Sequence, residues 1–302
     1  MGAVMRILAI VITYEPDTIL LTDVLRSVTP QVDGVVVIDN GSGEIDEIAR
    51  IAGGLGAQVI RNPTNIGLAA AQNAGLAFAK AQAYSHVVLL DQDTIFGPDV
   101  IGELSRQLTE LMHQGRNVGV IGPAYFELHR RELTKAYRAA GLQISRIALE
   151  HEAAPVRTDF VIASGSLIPL EIVEKVGTFE EPLFIDLVDV HWCLKARSVG
   201  FEAYISPTAR VDHHLGNRVV RLAHRTVAVH SPFRNYYWVR NALWLARQPY
   251  TPLAWRLYFW LRILGFLAAY STAVDQRFLR LKLMKRGVWD GLKGRLGPLR
   301  LD

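Results

Sequence analysis

A mostly parallel sheet flanked by helices, an α/β fold, is predicted for this chain of 302 residues from three observations. Runs of consecutive apolar residues recur between Ile7 and Ile121, stretches with helical spacing separate them, and several runs stop abruptly at acids or turn residues. Strands buried on both faces read as continuous apolar runs, and alternation with helices makes the sheet parallel. Ligands gather at the carboxyl ends of such strands.

Ile7 to Thr13 is the first strand and Val35 to Ile38 the second. Between them, Asp17 to Val28 carries Ile19, Leu20, Val24 and Leu25 at helical spacing, with Asp17 placed to cap it. A helix near Ile45 to Ala52, a strand at Gln58 to Arg61 and a helix from Leu68 to Ala81 follow. Val87 to Leu90 is the next strand, then a helix opening at Pro98-Asp99 and a strand at Val118 to Ile121. After Pro123 the pattern loosens. Ala139 to Ile147 and Asp159 to Ile168 read as β-rich segments crossing the edge of the sheet, and Leu170 to Val176 as a short helix closed by Gly177. Asp189 to Val199 has an acid at its start, Lys195 and Arg197 in its last turns and Gly200 as its stop, which predicts a helix. Beyond about Gly216 the chain reads as helical and aromatic, a second region.

With 50% hydrophobic and 21% charged residues the composition is that of a globular protein. One cysteine, Cys193, excludes an internal disulfide and fits a reducing compartment. The apolar run at Ile7 has no cleavage pattern of a signal peptide, so a cytoplasmic protein is expected. No internal repeat stands out, and nothing reads as nucleic-acid binding. The net charge of +4 hides an asymmetry: from Leu253 to Asp302, ten Lys or Arg face three Asp, a local balance of +7. Leu253 to Val274 is dense in Leu, Phe, Trp and Tyr but is interrupted by Arg256 and Arg262, which argues against a membrane span. An apolar aromatic helix followed by a basic segment fits a helix lying on an anionic membrane surface. A core helix with a solvated basic end fits equally well.

The chemistry is expected at the strand ends. Val87-Val88-Leu89-Leu90 ends in Asp91-Gln92-Asp93, and residues at i and i+2 of an extended chain point the same way, so Asp91 and Asp93 can present hard oxygen ligands to a divalent cation holding a diphosphate. The first strand ends in Thr13-Tyr14-Glu15-Pro16 and the second in Asp39-Asn40-Gly41-Ser42. Tyr14 can stack on a planar base, and Asp39 can accept from a pyrimidine ring N–H; an ordinary turn explains the second segment equally well. Asn62 to Asn73 opens a helix with small residues, which lets a phosphate or ribose approach the exposed N–H groups, yet it carries no Walker or dinucleotide glycine pattern. Further on, Asp189 at a helix start can take a hydroxyl proton or simply cap the helix, and His213 in Val211-Asp212-His213-His214 can add a metal ligand or lie in the surface or core.

As an ordered set these residues resemble glycosyltransferase family 2, inverting sugar-nucleotide transferases of the GT-A fold. The resemblance runs from about residue 5 to 245 through Val11-Ile12-Thr13-Tyr14, Val37-Ile38-Asp39-Asn40-Gly41-Ser42, Asn65-Ile66-Gly67 with Asn73, Asp91-Gln92-Asp93, Phe184 to Lys195 and His213-His214-Leu215-Gly216. That last segment, with His230 to Tyr237 and Arg240-Asn241, looks most like bacterial rhamnosyltransferases of O-antigen and related surface polysaccharides. The resemblance implies a catalytic domain at 1–215, a helical extension at 216–302 and Mg²⁺ or Mn²⁺ as cofactor. By the same resemblance Thr13, Tyr14 and Asp39 would hold the nucleobase, with Asn65, Gly67 and Asn73 also on the donor. Asp91 would hold the ribose or metal-bound water, Asp93 and His213 the metal, and Asp189 would be the base. Many members have an acid where this chain has His191. The implied donor is dTDP-β-L-rhamnose and the implied acceptor a saccharide, polyprenyl-linked and reached at the inner membrane face. Alternatives are a UDP-sugar donor such as UDP-galactofuranose, a sugar nucleotidyltransferase, whose Gly-rich phosphate loop is missing after the first strand, and a non-enzymatic membrane-associated binding module.

Overall fold

The computed structural model describes residues 5–127, 132–213, 219–222, 225–228, 231–272 and 275–300. In chain order its elements are β1 (Ile7–Thr13), α1 (Thr18–Val28), β2 (Gly34–Asp39), α2 (Ile45–Gly54), β3 (Gln58–Arg61), α3 (Leu68–Ala81), β4 (His86–Asp91), β5 (Thr94–Phe96), α4 (Val100–His113) and β6 (Val118–Glu127). There follow β7 (Glu132–Leu133), β8 (Ala136–Ala140), β9 (Gln143–Ile147), β10 (Val156–Thr158), β11 (Leu167–Pro169), α5 (Leu170–Val176), α6 (Val188–Ser198) and β12 (Glu202–His213). The chain continues through β13 (Val219–Leu222), β14 (Arg225–Ala228), α7 (Pro232–Ala246), α8 (Leu253–Thr272) and α9 (Arg277–Lys293).

The central sheet runs β10-β12-β6-β11-β4-β1-β2-β3. Strands β3, β2, β1 and β4 are parallel, as the alternation with helices requires. The period of two sends successive β1 side chains to opposite faces: Leu8, Ile10 and Ile12 enter one core with residues of α3, α5 and α6, while Ile7, Ala9 and Val11 enter the other with α1, α2 and α4. Helix α3 lies very close to β1, because a Cβ on Gly75 would come within 2.4 Å of Ile10 Cγ2. Asp17 caps α1, accepting from the N–H groups of Ile19 and Leu20.

Two expectations change. The segment ending near Ile168 does not cross the sheet edge: its β11 inserts between β4 and β6, antiparallel to both. The region beyond Gly216 is not helical throughout, since β13 and β14 pair as an antiparallel hairpin before α7. Helices α7 and α8 share a third apolar core with Val190 and Leu194 of α6 and Ala139 of β8. Among the described residues no helix is long and apolar enough to cross a membrane.

Candidate active site

The carboxyl ends of β1, β2 and β4 open on a cleft of about 540 Å³, closed on its far side by residues 184–190 and by Arg234 and Trp238 of α7. Asp91, Asp93 and Asp189 all line it. Asp189 is the second residue of α6 rather than its cap, which is Leu187. Its carboxylate accepts from the N–H groups of Ala163 (3.2 Å) and Val190 (2.8 Å). Burial pushes its pKa up to about 6, against the opposing effect of these backbone donors. Asp91 goes up to about 7, from burial first and then from the neighbouring charges of Asp93 and Asp189, with Arg234 pulling the other way. The cleft thus holds four carboxylates, Asp186 being the fourth, against Arg234, which is ion-paired with Asp186.

The remaining residues singled out in the sequence divide. Tyr14 is half-exposed at the mouth, its N–H on Gln92 Oε1 (2.8 Å). Asn65 lines the cleft and is braced by Asn40 Nδ2 (3.1 Å) and the Gly67 N–H (2.9 Å). Thr13 and Asp39 are buried beneath: Asp39 takes the hydroxyls of Thr13 (3.1 Å) and Ser42 (2.5 Å) and the N–H groups of Gly41 and Ser42. Four donors occupy roughly all the lone-pair positions of a carboxylate, so Asp39 organises the turn at the end of β2. Asn73 points elsewhere, bonded at both ends to Phe179 and also to Glu181. At Gly67 (φ 92°) a Cβ would come within 2.6 Å of the Phe184 ring, and the Leu68 N–H donates to the Phe184 carbonyl (2.6 Å). The start of α3 is therefore covered by the chain at Phe184 rather than fully open. His213 ends β12 opposite Thr94, the neighbour of Asp93; its side chain, and all of His214 to Gly216 and His230, lie outside the described residues.

Some cleft residues were not picked out as sites. Gln72 sits one helical turn after Leu68, both line the cleft, and its buried Oε1 has no hydrogen-bond partner among the described residues. The i, i+4 spacing could have found it. Arg234 lies in the His230–Tyr237 segment that carries the resemblance, but only the packing of α7 brings it to the cleft.

The segment before Asp189 is strained. Phe184, Asp186 and Leu187 have positive φ (67°, 65° and 62°), a conformation that costs on the order of 1–3 kcal/mol per non-glycine residue and persists only where neighbours enforce it. Helix α7 enforces it. Asn241 Nδ2 donates to the carbonyls of Leu183 (3.0 Å), Ile185 (2.8 Å) and Asp186 (2.8 Å). Arg240 donates to Leu183 (2.7 Å) and Pro182 (3.2 Å), Arg234 pairs with Asp186, and Tyr237 stacks on Phe184 at 5.0 Å. Helix α9 holds α7 in turn: Arg280 reaches Asn235 (2.6 Å), Tyr236 reaches Asp290 (2.9 Å), and a Cβ on Gly287 or Gly291 would lie 2.7 Å from an α7 carbonyl.

His191, in the position where many of the resembled proteins carry an acid, does not reach the cleft. It is buried between Trp244 (5.5 Å) and Tyr250 (5.7 Å), and its Nδ1 has no hydrogen-bond partner among the described residues. Burial pushes its pKa down to about 4. The unfolded chain therefore binds a proton near the ordinary value of 6.5 that the folded chain refuses until about 4, and stability falls as pH drops through that window. The expected loss is at most roughly 3 kcal/mol. His191→Phe keeps a ring between Trp244 and Tyr250 and should shrink the Tm difference between pH 7 and pH 5. An unchanged difference would place the acid sensitivity elsewhere.

An open α/β sheet with a crevice of carboxylates at its strand ends fits a nucleotide-sugar transferase. The chain belongs to glycosyltransferase family 2: the family described as Glycosyl transferase family 2 matches residues 9–175. It is similar to the dTDP-rhamnosyl transferase RfbF of Shigella flexneri, with 29% identity over 254 residues that cover 82% of each chain. Among solved structures it resembles S. aureus TarS 1-349 in complex with UDP-GlcNAc (TM-score 0.60, 15% identity, 96% of this chain and 81% of that one). It also resembles GalNAc-T7 with UDP, GalNAc and Mn²⁺ (TM-score 0.56, 14% identity), covering 91% of this chain and 59% of that one. At these identities the structural likeness concerns the fold alone.

Proposed function

We propose that the protein transfers L-rhamnose from dTDP-β-L-rhamnose to a saccharide acceptor, inverting the anomeric centre to an α-linkage, in the synthesis of a surface polysaccharide such as O-antigen. The observation that carries the reaction type is the placement of Asp189 in one cleft with Asp91 and Asp93. The donor rests on the similarity to the Shigella flexneri transferase.

In this reading Tyr14 packs on the nucleobase at the mouth, and Thr13 and Asp39 hold the β2 turn beside it. Asn65 and Asp91 face the ribose, while Gly67 and Asn73 sit against the Phe179–Phe184 chain that leads into the opposite wall. Asp189 takes the proton of the attacking acceptor hydroxyl on the face of the sugar opposite the leaving diphosphate. The donor set suits Mg²⁺ or Mn²⁺. Asp91 and Asp93 are hard oxygen groups whose mutual repulsion a cation relieves, and one or two carboxylates plus donor phosphates are a usual Mg²⁺ arrangement. Among the described residues no three such side chains converge on one point. Asp93, with His213 opposite Thr94, would hold the ion, which when bound offsets the charge developing on the diphosphate.

Turnover with a panel of donors, read as released nucleoside diphosphate, should favour dTDP-rhamnose over UDP-sugars. Preference for UDP-galactofuranose or another UDP-sugar in both turnover and thermal shift sinks the rhamnosyl reading and leaves the family intact.

The acceptor in this proposal is polyprenyl-linked, and the enzyme sits peripherally on the inner face of the cytoplasmic membrane. In this proposal 1–215 is the catalytic part, and 216–302, which carries the β13–β14 hairpin and lends α7 to the cleft, meets the lipid through α8 and α9. Leu253, Leu257, Trp260, Leu261 and Leu264 are all exposed on α8, at helical spacing that puts them on one face. On α9, exposed Phe278, Lys282, Lys285 and Trp289 share a second stripe, mixing aromatics with cations as helices at an anionic interface do. The full chain should co-sediment with anionic vesicles, less at high salt and less when Trp260, Leu261 and Leu264 are changed to Ser. Equal recovery in the supernatant with and without anionic lipid would defeat membrane binding. Point substitutions are needed, since cutting the chain before α8 would also remove the α9 that holds α7.

A further inference from the structure

A second cavity, of about 350 Å³, lies between the end of β6, the β8–β9 hairpin and the segment Phe160–Ile162. It shares a wall with the catalytic cleft, because Ile162 lines both. Its charge is opposite. The cleft is ringed by four carboxylates, whereas the charged residues of this cavity are Lys135 and Arg146, with no carboxylate among the described residues that line it. Its volume falls within the range of small-molecule sites.

Two rings that line the cavity pack against α8, the helix with the exposed apolar face. Tyr137 and Phe160 form one wall, their rings stacked with centroids 5.8 Å apart, and Trp255 of α8 packs edge-on against both, at 6.3 Å and 5.5 Å. Trp255 is buried on the inner side of α8, while Leu257, Trp260, Leu261 and Leu264 are exposed on it. The cationic, ring-walled cavity thus adjoins the cleft where Asp189 stands across Ile162, and its ring wall rests on the inner side of α8. A ligand suited to that neighbourhood carries an anion beside a sugar.

We infer that the cavity binds the phosphate-bearing root of an amphipathic acceptor, the link between its tail and its first sugar, with Arg146 and Lys135 on the phosphate oxygens and the Tyr137–Phe160 wall beside the sugar. This rests on the lipid-linked acceptor proposed above. The anion of a bulk lipid headgroup shares the chemistry and is the rival occupant.

Farnesyl diphosphate serves as the probe, titrated calorimetrically into the full chain in chelator-containing buffer. Hydrogen bonds to charged groups contribute enough that Lys135→Gln/Arg146→Gln should weaken its binding by about tenfold or more. dTDP binding and Tm in the same variant report on folding, and Arg146→Gln alone, at an exposed position, is the milder second variant. Farnesol should bind far more weakly than the diphosphate. Undiminished binding in the variants, or displacement of the probe by dTDP, overturns the assignment while leaving a lipid-linked acceptor tenable. Full competition by phosphatidylglycerol vesicles would hand the cavity to bulk lipid. Absence of probe binding to the unaltered protein, with dTDP still bound, overturns both the cavity assignment and the lipid-linked acceptor, whatever the donor panel shows.

Discussion

Asp189→Asn is expected to lower the transfer rate by about 10²–10⁴-fold, the usual contribution of a positioned general base, while donor affinity stays near its original value. The separation follows from what a base does: it acts on the acceptor proton in the transition state and adds little to ground-state donor binding. Asparagine has nearly the same shape, but its amide NH₂ cannot accept, so one of the N–H groups of Ala163 and Val190 loses its acceptor. A modest drop in Tm is therefore expected beside the large drop in rate. The pH profile gives an independent reading. With its pKa pushed up to about 6, Asp189 is protonated below that value and cannot take a proton, so the rate of the unaltered enzyme should rise with pH through about 6. Calorimetry showing that the variant no longer binds donor would make Asp189 a structural residue instead.

Asp93→Ala should cost at least about a hundredfold in turnover, since a metal ion contributes several kcal/mol of charge stabilisation in such reactions. Removing Asp93 also removes one of the charges that hold Asp91 up, so Asp91 should titrate lower in the variant. An activity that was undiminished in the variant and indifferent to chelator would end the metal assignment.

How much of this was legible in the sequence depends on whether the deciding contact is local. The α3 and α5 bounds and the Asp17 cap follow from periodicity and end chemistry along a few residues, and Asp91 and Asp93 announce themselves by closing an apolar run. Strand β11 does not: three residues became a central strand only because β4 and β6 flank them, at sequence distances no local pattern encodes. The resemblance puts Asn73 on the donor with Asn65 and Gly67. Yet α3 turns about 100° between successive residues, so Gln72 faces the cleft and Asn73 the Phe179 chain. The small residues opening α3 read as room for a phosphate or ribose; that Phe184 fills the space beside Gly67 is tertiary information.

The hold of α7 on the strained chain before Asp189 bears on how this enzyme can be recombined with its relatives. A chimera joined at residue 215 would take Asp189 and its loop from one parent and Arg234, Arg240 and Asn241 from the other. A transplant of acceptor preference should instead carry 180–199 together with α7, α9 and the chain to Gly297, whose N–H bonds the Pro182 carbonyl. The indivisible unit of exchange is discontinuous in sequence, and the linear border between sheet and helices is the wrong place to cut.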